Sequence, residues 1–266
     1  MKRITAISIV FSIVAVFLTC STAMCLGEVK HYQLWSKVLS DLGEPAQKTL
    51  SLYLPEDYGT SGVSYPVLYL IHGYSGNNLT FLGGGYDGWM SDANVSVIVD
   101  RLIQERKIKP LIVACPDLSG VAHYEEYLLH DIVSLVDATF RTIANRESRA
   151  IAGHSIGGYD SLYMTLAYPE VFSIAGGFSS NNMVLLRENL GELVKAHDQK
   201  SFPIRFWLYA GRNDEYGVTQ PNRDFVRALK ENGLPTEYIE DDGDHVNKVG
   251  QRLGECIEYF PKFLKW

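Results

Sequence analysis

Apolar residues along this chain follow two rhythms, and the rhythms take turns. Leu50, Leu52 and Leu54 interleave with Thr49, Ser51 and Tyr53, a period of two that predicts a strand stopped by Pro55. Val67 to Ile71 is an unbroken apolar run, as expected of a strand covered on both faces, and it ends in His72-Gly73. A second such run, Leu111 to Cys115, is closed by Pro116-Asp117. Between them a Gly-rich loop, Gly83 to Gly88, precedes Val95 to Glu105, which can form a helix. Leu128, Ile132, Leu135 and Val136 then fall at i, i+4, i+7 and i+8, one helical face. Four short runs follow: Ala150-Ile151-Ala152, Ser173 to Phe178, Ile204 to Ala210 and Thr236 to Glu240. Helix-like stretches separate them at Tyr159 to Ala167 and around Phe225, Val226 and Leu229, the latter ended by Gly233. Leu253, Cys256, Ile257 and Phe260 mark a closing amphipathic helix.

Strands that alternate with helices imply an α/β fold with a mostly parallel sheet and helices on both faces. No Pro- or Ser-rich linker or repeat divides the chain, which favours a single domain. In such sheets the reactive residues gather on loops beyond the carboxyl ends of the strands. That rule turns each loop after a strand into a place to look for chemistry.

The first residues read differently. Lys2 and Arg3, an apolar stretch from Ile4 to Leu18, and small residues Ser21-Thr22-Ala23 have the layout of an export signal over residues 1–23. Cleavage after Ala23 is the first choice, after Cys25 or Gly27 the alternatives, leaving residues 24–266 as the domain. The stretch is short for a membrane span, which needs about 20 apolar residues. Phe17-Leu18-Thr19 makes a poor lipid-attachment context for Cys20. The expectation is therefore a secreted, periplasmic or extracellular protein with no stable membrane insertion. The net charge of −7 lacks a basic stripe and gives no support for nucleic-acid binding. Cys115 and Cys256 survive every cleavage and read as small buried hydrophobes, although an oxidising compartment would permit one disulfide.

Chemistry concentrates at Gly153-His154-Ser155-Ile156-Gly157, which follows the Ala150–Ala152 strand and opens onto a helix. That is the strand–turn–helix context of G-x-S-x-G, where a sharp turn presents the serine and leaves no room for side chains at the glycines. A serine hydroxyl needs a base to take its proton, and the base a carboxylate to orient it. In the order serine, acid, histidine, the acid candidate is Asp214, in Gly211-Arg212-Asn213-Asp214 directly after a strand, with Asp244 and Asp117 in reserve. The base candidate is His245, in Gly243-Asp244-His245 after the last strand. His31, His123 and His130 come too early, His197 lies in a polar segment, and His154 is expected to point away from Ser155. Asp241, Asp242 and Asp244 read as a solvated loop. For a developing oxyanion, backbone N–H donors are expected from Ile156 and from Tyr74, with Gly73 as the fallback.

With these residues in place, the chain resembles the esterase branch of the α/β-hydrolases. That branch includes esterase D (S-formylglutathione hydrolase), feruloyl and acetylxylan esterases, enterochelin esterases and mycolyltransferases of the antigen 85 type. The resemblance is carried by Tyr69 to Gly73, Ala152 to Tyr159, Tyr168-Pro169-Glu170-Val171-Phe172, Gly211 to Asp214 and Gly243 to His245, and it spans essentially the whole mature chain. It implies the α/β-hydrolase fold, the same Ser155-Asp214-His245 triad and a mechanism without cofactor or metal. Two positions depart from it. Val246-Asn247-Lys248-Val249 stands where relatives often have a tryptophan, and Ile156 where they often have methionine. The first departure concerns the leaving-group side of the pocket.

The expected function is an exported serine carboxylic-ester hydrolase working through an acyl-serine, on a feruloyl or acetyl ester of a small molecule or polysaccharide. An antigen 85-type acyltransferase, an S-formylglutathione hydrolase-like thioesterase and a noncatalytic surface-binding protein are the alternatives. Tyr86 and Trp89 in the Gly83–Met90 loop, and the segment Asn181 to Ser201, are candidate pocket walls. Asn78-Leu79-Thr80 and Asn94-Val95-Ser96 match the glycosylation sequon.

Overall fold

Eight strands hydrogen-bond into one sheet in the order β1-β2-β4-β3-β5-β6-β7-β8. The computed structural model describes residues 27–82, 94–196 and 200–266. Residues 1–23, expected to be an export signal, the Gly83–Met90 loop with Tyr86 and Trp89, and His197 lie outside them. β1 (Glu28–Trp35) and β2 (Gln47–Leu54) pair antiparallel, and β2 pairs antiparallel with β4 (Ile112–Pro116). From β4 onward every pairing is parallel, through β3 (Val67–Ile71), β5 (Arg149–His154), β6 (Ile174–Phe178), β7 (Arg205–Gly211) and β8 (Thr236–Asp241).

Helices cover both faces, as buried strands require. In chain order they are α1 (Lys37–Asp41), α2 (Val95–Gln104), α3 (Tyr124–Glu126), α4 (Ser134–Thr139), α5 (Ile156–Ala167), α6 (Met183–Ala196), α7 (Thr219–Glu231) and α8 (Val249–Tyr259). One core sets Tyr69, Ile151 and Phe206 of the sheet against Leu162 of α5, Leu186 of α6 and Phe225 of α7. The other sets Leu70, Trp207, Val99, Leu253 and Phe260 between the sheet and α2 and α8. Each such side chain removed from water contributes about 1.5–3 kcal/mol.

The central strands carry the predicted continuous burial: all five residues of β3, β4 and β6 are enclosed. β2 departs from its alternating pattern. Ser51 and Tyr53 are buried along with the leucines, because Tyr53 donates its hydroxyl to Asp100 (2.7 Å) and Ser51 meets His31 and Asn78. Polar atoms that find partners can be buried, so the strand loses its wet face.

The helix before β5 departs more. A π-helical segment, Tyr127–Val133, separates α3 from α4. The wider turn resets the phase, so Leu128, Ile132 and Val136 face the core together with Tyr127 and Val133, while Leu135 turns outward at 39% exposure.

Both sequon asparagines have roles within the fold. Asn78 is buried, bonded to Ser51 and Thr49, so its sequon is a structural contact in the folded chain. Asn94 instead caps α2, its side chain accepting from the Val97 N–H. Cys115 and Cys256 are both buried and both free, and burial pushes both thiols up, away from reactivity.

Candidate active site

All the candidate residues lie at the carboxyl end of the parallel strands. β5 ends in His154, and Ser155 sits on the turn into α5 with φ 57° and ψ −117°. A non-glycine residue there costs on the order of 1–3 kcal/mol and persists only when its surroundings hold it. Here the Ser155 N–H donates to the Phe178 carbonyl (2.9 Å), and its own carbonyl accepts from the N–H groups of Gly158, Tyr159 and Asn181. The flanking glycines are required by contact. A Cβ on Gly153 would lie 2.2 Å from the Gly157 carbonyl oxygen, and one on Gly157 would lie 2.4 Å from the oxygens of Ile71 and His72. The start of α5 therefore rests directly on the end of β3.

Asp214 and His245 come from the ends of β7 and β8. Those loops are tied by Arg212 N–H to the Asp241 carbonyl (2.7 Å) and by Asn213 N–H to the Gly243 carbonyl (2.9 Å). Gly211 backs onto Gly243 so closely that a Cβ would stand 2.2 Å from its oxygen. This register brings His245 Nδ1 within 2.8 Å of Asp214 Oδ2, with both side chains buried. The imidazole donates from Nδ1, and its Nε2 has no hydrogen-bond partner among the described residues. Burial opposes ionisation of Asp214. The His245 hydrogen bond and charge, the Tyr216 N–H (3.0 Å) and the nearby Ser179 hydroxyl outweigh it and hold the carboxyl below its ordinary value.

The reserve acids do other work. Asp244 accepts from the N–H groups of Val246 and Asn247 and shapes the loop. Asp117 accepts from Ser119 and faces His72 at 3.6 Å, with its carboxyl held near about 2 despite burial. The loop of three aspartates is less solvated than expected. Asp241 is clamped by Arg252, Tyr209 and the Gly243 N–H, and Asp242 alone of the three is largely exposed, at 75%, where it pairs with Lys248.

Ser155 and His245 line one cavity of about 310 Å³, together with Gly73, Tyr74, Asn181 and Tyr216. Ile156 opens α5, so its N–H precedes the intrahelical ladder. The Tyr74 N–H donates to no acceptor among the described residues, while its side chain stands 92% exposed. Gly73 is close enough that a Cβ there would meet Ser155 Cβ at 3.4 Å. His72 fixes this loop: its Nδ1 donates to the Gly73 carbonyl (2.7 Å), and its Nε2 accepts from the Leu118 N–H (2.9 Å).

Sequence reasoning missed two contributors. His154 has a partner of its own. It is buried at the cavity wall and donates from Nε2 to the His245 carbonyl at 2.9 Å. Burial first, then repulsion by His245, pushes its pKa down to about 4, so it is a neutral donor. Tyr216 lays its ring 4.6 Å from that of His245. Neither contact has a local signal, since each spans two strand-end loops.

The fold and this residue set define an α/β-hydrolase. A family model described as "Putative esterase" matches residues 45–247, and the chain belongs to that family. It is 28% identical over 233 residues to an endo-1,4-beta-xylanase/feruloyl esterase of Xylanibacter ruminicola, covering 82% of this chain and 29% of that protein. The chain spans about a third or less of the length of the first curated relatives it matches, 29% and 31%. A ferulic acid esterase structure superposes with a TM-score of 0.74 at 22% identity, over 90% of this chain and 99% of the other. An S-formylglutathione hydrolase from Staphylococcus aureus gives 0.70 at 20% identity, over 88% and 98%. Both share the fold.

Proposed function

We propose that the chain is a serine carboxylic-ester hydrolase, exported from the cytoplasm, that releases feruloyl or acetyl groups from carbohydrate-linked esters. The observation that carries the reading is the Asp214–His245 hydrogen bond, set on the cavity that the strained Ser155 also lines. His245 takes the Ser155 proton as the hydroxyl oxygen attacks the ester carbonyl. Asp214 holds the tautomer and stabilises the imidazolium. The Ile156 and Tyr74 N–H groups receive the oxyanion. Collapse of the tetrahedral species expels the alcohol, which takes its proton from His245, and leaves an acyl-serine. Water, deprotonated by His245, then attacks the acyl carbon and frees the acid and Ser155.

The feruloyl and acyl-sugar assignment is supported by the Xylanibacter ruminicola relative, and export by residues 1–23. The decisive experiment compares wild type with Ser155→Ala on acetyl and feruloyl esters, with and without a sugar acceptor. Full turnover by pure Ser155→Ala would sink the mechanism, and acyl transfer to the acceptor in place of acid release would replace hydrolase by transferase.

A further inference from the structure

Lys48 is the one lysine among the described residues that is buried, at 5% exposure. β2 runs antiparallel to β4, so Lys48, near the start of β2, lies past the carboxyl end of β4. Its ammonium has no carboxylate partner among the described residues and donates instead to the Ser119 carbonyl at 2.7 Å. A hydrogen bond from a charged donor is roughly twice as strong as a neutral one, and burial removes the water that would compete for it. Lys48 is therefore a strong tether for one backbone carbonyl. It lines no part of the Ser155 cavity.

Ser119 carries the tether to that cavity. It belongs to a strap, residues 117–123, that runs from β4 to α3. The Leu118 N–H donates to His72 Nε2 (2.9 Å), and the Ser119 hydroxyl donates to the Gly76 carbonyl (3.1 Å). These contacts grip both ends of the turn 72–76. Between them the turn closes through the Gly76 N–H to the Gly73 carbonyl (2.9 Å), with Tyr74 inside it. Gly73, Tyr74, Ser75 and Gly76 all line the cavity. The strap is anchored at its near end by the Asp117 N–H to the Thr49 carbonyl (3.0 Å). At its far end the Glu44 carboxylate accepts from the N–H groups of Ala122 (2.8 Å) and His123 (3.2 Å).

Resting on the esterase reading above, we propose that Lys48 is a positioning residue for ester hydrolysis. By holding the middle of the strap, it keeps Ser119 against Gly76 and so fixes the Tyr74 N–H where the oxyanion forms. Without the ammonium, the Ser119 carbonyl loses its charged donor and the strap loosens between its two anchors. The Gly76 end of the turn then shifts, and Tyr74 with it. A displaced donor loses its hold on the negative oxygen of the transition state. The ground-state ester carries no such charge and binds as before. The effect belongs in kcat and not in KM.

The test is Lys48→Met, which keeps the apolar stem and removes the donor, assayed on an aryl acetate well below its thermal midpoint. Outright loss of an oxyanion donor costs about 10²- to 10³-fold in kcat, so a displaced one is expected to cost about tenfold, with KM within about twofold of wild type. Affinity for phenylboronate, whose tetrahedral Ser155 adduct places an oxygen at the same donors, is expected to fall by about the same factor. Lys48→Arg retains a charged donor and is expected to recover most of both. Ser119→Ala removes the hydroxyl contact with Gly76 at an exposed position, and is expected to reproduce the kcat loss. Combined with Lys48→Met it should add little, because both act through one contact. Lys37→Met, on α1 and 80% exposed, should behave as wild type.

A Lys48→Met enzyme with a lowered thermal midpoint but wild-type kcat and phenylboronate affinity overturns the proposal, since Lys48 would then only stabilise the fold. A loss confined to KM also overturns it. Where Lys48→Met fails to fold, Ser119→Ala decides, and wild-type kcat in that variant breaks the link to the turn. Fluorophosphonate labelling of Ser155 separates the two levels. An active, labelled wild type with unmoved variants overturns the role of Lys48 alone, and an inactive, unlabelled wild type overturns the esterase reading with it.

Discussion

His154 donates from Nε2 to the backbone carbonyl of His245 across 2.9 Å, and their rings lie 4.7 Å apart. The residue before Ser155 thus fixes the loop that carries His245, joining the end of β5 to the end of β8. His154→Leu removes the donor and strands a buried carbonyl, a loss of about 1–3 kcal/mol in unfolding free energy. Displacing the base should lower kcat/KM by about 10- to 100-fold, with kcat carrying most of it. His154→Gln keeps a donor and should restore part of both.

The same residue gives a pH signature. Its folded pKa of about 4 lies below the ordinary 6.5, so the unfolded chain takes the proton first. The stability that neutral His154 provides is intact above pH 6.5 and drains away as pH falls from there toward 4. Asp214, also depressed, loses its share at lower pH still, as its own carboxyl is protonated. Denaturant unfolding of His154→Gln should show a shallower decline between pH 7 and pH 4.5 than wild type. Parallel declines would refute the assignment.

Asp214→Asn keeps the size of the side chain and removes the charge that holds the His245 Nδ1 proton. Loss of the correct tautomer is expected to lower kcat about 10²- to 10⁴-fold. Circular dichroism and substrate KM should change little, because the buried site still holds an isosteric side chain. Fluorophosphonate labelling of Ser155 should slow in step with kcat. A variant that labels at the wild-type rate would remove Asp214 from the proton relay.

Much of this architecture was legible because its signals are local. The enclosed runs of β3 and β4 and the motif around Ser155 need only neighbours in sequence, and Asp214 and His245 fall where strand ends must lie. The misses have non-local causes. β1 is an edge strand whose inward residues Lys30, Tyr32 and Leu34 are only half-buried and whose outward Trp35 is apolar, so its alternation is weak in the sequence. Ser51 and Tyr53 are buried because Asp100, 47 residues beyond Tyr53, and Asn78, 27 beyond Ser51, supply partners. Leu135 left the core because a π-helical turn changed the phase of a pattern that still looked α-helical. Tyr216 and His154 entered the site through loop packing that no spacing announces.

Gly157 tests the claim that α5 is seated on β3. The atoms its Cβ would meet at 2.4 Å are backbone oxygens of buried residues, which cannot swing aside. Gly157→Ala should cost about 3 kcal/mol or more, or prevent folded expression, as overpacking against a fixed backbone does. Gly191, inside α6, is the matched control, with no atom within 4 Å of an added Cβ. Gly191→Ala should stabilise by about 0.5–1 kcal/mol. Thermal midpoints of the two variants should move in opposite directions.

Asp160 lies just over one helical turn beyond Ser155, 8% exposed, and makes no hydrogen bond among the described residues. Burial first, and then the Glu125 charge, raises its carboxyl to about 7. Tyr124 and Tyr159 feel its charge, and their own hydroxyls are pushed upward. An acid whose folded pKa exceeds the unfolded value of 3.8 is harmless while protonated and becomes a burden once the pH forces it to ionise. Its cost is absent below pH 3.8, grows as pH rises, and is complete above about 7. Asp160→Asn should therefore stabilise the fold by about 1–3 kcal/mol at pH 8 and by little at pH 4. Glu125→Gln should recover a smaller part, offset by weakening of the bond that Tyr168 donates to Glu125 (2.6 Å). Urea midpoints at the two pH values measure both effects. A gain in Asp160→Asn that is equal at pH 4 and pH 8 would mean that the carboxylate's charge is not what destabilises this helix.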